Sequence, residues 1–155
     1  MDTSSTIIGL GMLLLFVGPI MFLLIKQNKK EKAKLIKFTA LSEENNINPE
    51  MLEITNDLIL GLDSKAKKLL VVEPQNNHQH RIVDLAEIKK SKVSTIDIPN
   101  RAGKINHVSL ELFGKNERNK VAEIIFYDED DNENLDADAR LVIANKWDRI
   151  IKNAI

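Results

Sequence analysis

The sequence predicts an α+β protein made of one membrane-spanning helix, a linker helix, an antiparallel β domain of about seven strands and a closing amphipathic helix. Three observations carry this. Residues Ile7 to Ile25 hold no charge and are mostly Leu, Ile, Met, Phe and Val. Between Met51 and Phe126, apolar and polar residues alternate in short runs separated by turn residues. From Leu135 to the end, apolar residues return at spacings of three and four, the period of a helix with one buried face.

The apolar run is nineteen residues long. At ~1.5 Å per residue a helix of that length matches the ~30 Å hydrocarbon core of a bilayer. A cleaved leader needs a basic start and a small-residue cleavage site. Here Asp2 is the only charge before the run, and no such site follows. Lys26, Lys29, Lys30, Lys32, Lys34 and Lys37 crowd the far side, with nothing basic before the run. That asymmetry predicts a single-pass cell-membrane protein with residues 1–6 outside, 7–25 in the membrane, 26–48 as a basic juxtamembrane linker helix and 49–155 as a cytoplasmic domain. Lys26, Lys29, Lys30, Lys32 and Lys34 are the expected contacts with anionic headgroups, each contributing ~1 kcal/mol near the surface. Pro19 predicts a mild kink in the span.

Composition removes several classes. The chain has 155 residues, a net charge of −1 and no cysteine. Disulfides, thiolate catalysis and cysteine-ligated metals are excluded outright. One Tyr, one Trp and a near-neutral balance give no stacking platform on a basic face, so nucleic-acid binding is not expected.

In chain order, Leu35, Phe38 and Leu41 continue the helical period to the asparagines before Pro49. The period then becomes two. Strands are expected at Met51–Thr55, Leu58–Leu62 and Lys68–Glu73, with a turn at Asp63–Lys67 and a loop from Pro74 to His80. Further strands are expected at Arg81–Leu85 and Lys92–Ile98. A hairpin follows, with Val108, Leu110 and Leu112 on one arm and Ala122, Ile124 and Phe126 on the other. Each strand is expected to bury one face. The final helix covers that face through Ala139, Val142, Ile143, Trp147, Ile150, Ile151 and Ala154, with Ile143, Trp147 and Ile150 as the structural plug. Asn134 or Asp136 can cap it.

This order of elements, with the alternating strand Val108-Ser109-Leu110-Glu111-Leu112 and Trp147 in the last helix, resembles the pleckstrin-homology-like superfold. The resemblance implies two antiparallel sheets in a sandwich or partly open barrel, plugged at one end by the terminal helix. The whole arrangement looks like small, uncharacterised single-pass bacterial membrane proteins. Phosphoinositide-binding members carry lysines followed by an arginine around an early loop. Here Lys65, Lys67 and Lys68 have no such arginine, so no specific phosphoinositide is expected.

No constellation for chemistry stands out. The acidic run Asp128-Glu129-Asp130-Asp131-Asn132-Glu133-Asn134 fits the first positions of a calcium loop, but has Glu133 where glycine is needed and Ala139 where the bidentate Glu belongs. His78 and His80 are two ligands without a third, and His107 is remote in sequence. No catalytic residue, cofactor or metal is therefore expected, and no enzyme. The expected role is a membrane-tethered interaction or scaffold module that binds a protein partner. The alternative is an assembly subunit held in a membrane complex through its transmembrane helix.

Overall fold

The computed structural model describes residues 32–55, 57–74, 79–98, 103–115, 119–130 and 136–155. The expected span at Ile7–Ile25 and the lysines Lys26, Lys29 and Lys30 lie outside them. No helix among the described residues is long and apolar enough to cross a membrane. The chain divides into two compact units, Met1–Leu41 and Ser42–Ile155.

In the first unit the described residues are helical, within α1 (residues 32–44). Phe38 is buried, while Leu35 and Ile36 stay exposed. The helix stops before Pro49 can act on it. In the second unit the Asn46 N–H donates to the Glu43 carbonyl and the Ile47 N–H to the Ser42 carbonyl. Asn46 adopts φ 53°. This is a Schellman-type end, in which a left-handed residue lets the chain turn back onto its last carbonyls.

Seven strands follow in two antiparallel sheets. The first sheet holds β1 (Met51–Ile54), β2 (Ile59–Asp63), β3 (Lys68–Glu73) and β4 (Gln79–Asp84) in sequential order. The second holds β5 (Lys90–Asp97), β6 (Ile105–Phe113) and β7 (Lys120–Asp128), also in order. Consecutive strands pair as neighbours, as short hairpin connections favour. The register slips between Val108 and Ser109 and between Leu112 and Phe113, so β7 carries bulges against β6. One bulge turns Tyr127 inward beside Phe126, and both are buried.

One core joins both sheets. Leu58, Leu60 and Leu62 from the first meet Val108, Leu110, Leu112 and Ile124 from the second. The last helix, α2 (Ala137–Ala154), adds Ala144, Trp147 and Ile151 and packs on β5, β6 and β7. Asp136 caps it, its carboxylate accepting from the Asp138 and Ala139 amides.

Two expectations need correction. First, β2 and β3 do not bury one face only. Ile59, Leu70 and Val72, which point away from the Leu58–Leu60–Leu62 face, are as buried as the core. The apolar run Leu69-Leu70-Val71-Val72 has no polar alternate, which is the pattern of a strand covered on both sides. Second, the buried stripe of α2 keeps Ile143, Trp147, Ile150, Ile151 and Ala154 of the expected one but not all of it. Val142 is 68% exposed and Ala139 is exposed, whereas Arg140 and Asp148 are buried. Counting apolar residues alone hid those two positions. Trp147 lies at the centre of the plug at 1% exposure, and Ile143 and Ile150 are half-buried beside it.

Candidate interaction surface

Polar contacts fasten α2 across the domain. Near its start the Arg140 guanidinium donates to Asp57 Oδ2 at 2.7 Å, and at its middle Lys146 Nζ donates to Glu53 Oε2 of β1 at 2.6 Å. Towards its end Asp148 accepts from Ser91 of β5 at 2.5 Å and from Lys152 at 2.6 Å. The helix therefore reaches one terminal strand of each sheet, β1 and β5. The other two terminal strands are β4 and β7. They carry exposed apolar side chains, Ile82 on β4 and Val121 and Ile125 on β7, as β1 does at Met51 and Leu52 and β5 at Ile96. Between these strands the Arg81 guanidinium donates to the Glu123 carbonyl, and it lies 3.7 Å from Glu73. A terminal strand holds backbone donors and acceptors on its outer side, which an added extended segment can pair.

The densest polar cluster lies on β6 and β7. His107 Nδ1 is 3.1 Å from Asp128 Oδ2, and its Nε2 is 3.7 Å from Glu123 Oε1. Lys120 donates to Glu123 at 2.6 Å and lies 3.5 Å from Glu111. That hydrogen bond is the main reason the Glu123 carboxyl is held below the usual carboxylate range and the Lys120 ammonium above the usual amine range; partial desolvation opposes both shifts. Ser109 is buried and its hydroxyl makes no well-formed hydrogen bond among the described residues, although it lies close enough to Glu123 to favour the charged carboxylate. A nucleophilic serine needs a base on its hydroxyl and access for substrate. Here both ring nitrogens of His107 face carboxylates, and Ser109 is 1% exposed. The cluster braces β6 against β7.

The expected site residues separate. Lys32 is exposed and Lys34 half-buried on α1. Lys65 and Lys67 are exposed at the β2–β3 turn, and Lys65 stands 3.8 Å from Glu50. His80 is exposed on β4, and His78 falls outside the described residues. In the acidic run, Asp128 Oδ1 accepts from the Asp130 amide and Glu129 takes Lys104 at 2.9 Å. Residues 131–135 lie outside the described set, and no group of three metal-ligating side chains gathers among the described residues. An open depression of ≈ 340 Å³ lies beside the β6–β7 turn, lined by Glu87, Gly114, Lys115, Asn119 and Val121. It gathers one acid, one base and mostly apolar wall, without a convergent set of donors.

Sequence reasoning missed Asp63, Arg140 and Asp148. Asp63 and Asp148 had a readable signal, a short acidic residue next to a turn or within an otherwise apolar stripe. Arg140 had none, because its partner Asp57 is distant in sequence.

Comparison with protein-family models, with curated proteins and with solved structures yields no match. The fold is that of an α+β protein with two antiparallel sheets and a C-terminal helix.

Proposed function

We propose that the chain is a membrane-tethered interaction and scaffold module of the pleckstrin-homology-like kind, anchored through Ile7–Ile25 with residues 49–155 at the cytoplasmic face. The observation that carries this reading is the fastening of α2 to β1 and β5, together with the apolar side chains exposed on terminal strands of both sheets, Ile82, Val121 and Ile125 among them. A preformed platform with two terminal strands suits recognition of an extended segment of a protein partner, because little ordering is needed on binding. Tethering raises the effective concentration of the module at the membrane, so weak contacts suffice. The lysines of the linker add attraction to anionic headgroups without specificity for one lipid.

Fractionation and cross-linking test the reading together. The full chain is expected to stay in the membrane pellet through high-salt and carbonate washes, since an apolar span holds it there. Release by either wash counts against the span. Cross-linked adducts in native membranes are expected to disappear in Ile82→Glu and Ile125→Glu chains and to persist when 7–25 is replaced by an unrelated apolar span. The reverse pattern favours the assembly-subunit alternative.

A further inference from the structure

The segment between the end of α1 and the start of β1 is strapped onto the β2–β3 hairpin. The Asn48 N–H donates to Asp63 Oδ2 at 2.8 Å, and the Glu50 N–H donates to the Leu62 carbonyl at 2.8 Å. Ser64 Oγ donates to Glu50 Oε2 at 2.5 Å. The other oxygen of Asp63, Oδ1, accepts from the Ala66 N–H at 2.8 Å, so one carboxylate holds both the strap and the hairpin turn. Asp63 is 5% exposed. Ile47 of this segment is buried at 4% exposure, but no residue of 45–50 belongs to the cluster that joins the two sheets, and strand pairing begins only at Met51.

We propose that Asp63 clamps a strap, residues 45–50, that can leave the β2–β3 hairpin while the two sheets and α2 stay folded. A segment whose only buried side chain among these residues is Ile47, and which stays outside the cluster joining the two sheets, opens at lower free energy than the whole domain. Six freed residues at ~3.3–3.6 Å each span at most about 20 Å when extended, so release adds part of that length to the reach between the domain and whatever holds its N-terminal side. The consequence for reach rests on the tethered reading; the clamp itself does not. The device lets one module work at two distances from its anchor.

Acid supplies an independent handle. The Ala66 amide first and the Asn48 amide second hold the Asp63 carboxyl below its ordinary range. A carboxyl whose folded pKa is depressed stabilises the bonded form above its unfolded pKa, and the stabilisation is lost as pH falls through the folded value. The clamp is therefore tightest at neutral pH, and acid below the ordinary carboxylate range shifts it further towards the open form.

Amide hydrogen exchange on the full chain tests this. Asp63→Ala is expected to speed exchange at Asn48 and Ala66 about tenfold or more, the loss of a hydrogen bond to a charged acceptor. Leu69 and Val71 amides in β3 are expected to keep their protection. If Asp63→Ala does not fold, Asp63→Asn serves, because its amide keeps one acceptor oxygen and only one of the two amides should lose protection. Unchanged exchange at Asn48 and Ala66, or faster exchange at Leu69 and Val71 in step with them, overturns the clamp. Neither outcome touches the membrane span, which the carbonate wash tests separately.

Discussion

Trp147→Ala will destabilise the domain by about 3–5 kcal/mol, the range for truncating a large buried aromatic, against a total of only ~5–15 kcal/mol for a domain of this size. Trp147 is 1% exposed and touches a core that draws on both sheets. Removing its ring leaves a cavity where the helix meets the sheets. The indole N–H has no hydrogen-bond partner among the described residues. A phenylalanine there deletes a costly unpaired donor while keeping most of the ring volume, so Trp147→Phe should cost much less than Trp147→Ala. Urea unfolding followed by far-ultraviolet circular dichroism gives both values. The parent should also show blue-shifted tryptophan emission that iodide quenches poorly. Water-like emission with an unchanged midpoint for Trp147→Ala would refute the plug. Removing everything after Leu135 is the extreme version, and it should leave an aggregating sheet with its apolar face uncovered.

The second large effect is expected at the start of α2. Arg140→Ala leaves the Asp57 carboxylate without the guanidinium that now sits 2.7 Å away. The two side chains are 9% and 18% exposed, so water replaces the lost partner only in part. The expected loss is about 2–3 kcal/mol, at or just below the range for breaking a fully buried pair. Adding Asp57→Ala should recover part of it, because the largely buried carboxylate that faced the guanidinium is then gone. A double-mutant cycle reads the coupling directly. Strictly additive single effects would mean that the pair is a surface contact of little consequence.

Local pattern made much of this fold legible. Lys68–Glu73 was bounded correctly because a turn precedes it and a proline follows. The arms around Leu110 and Ile124 were legible because alternation over a whole strand has one reading, although both strands extend further at each end. The sequence places Gln79 and His80 in a loop, yet as part of β4 they pair with Glu73 and Val72 of β3. Their polarity misled, because an exposed terminal strand needs no apolar residues to keep its backbone bonds. The end of the linker helix at the asparagines before Pro49 was legible, and Asn46 supplies the left-handed residue that turns the chain there. The interaction surface was less legible than the fold. That α2 reaches β1 depends on Lys146 finding Glu53, ninety-three residues away in sequence, and no periodicity encodes such a meeting. The same holds for Ser91 and Asp148.

The burial of β2 and β3 on both faces also shapes how the sequence can vary. In most of the second sheet a polar exchange on the outward positions leaves the core untouched, so tolerance should come in stripes of every second residue. Along Ile59–Leu62 and Leu69–Val72 every position is withdrawn from water. A saturation-substitution map should show this hairpin as two unbroken blocks of intolerance flanking a permissive turn. Drift that preserves the protein is then channelled into the terminal strands, whose outward side chains can change without reopening the centre.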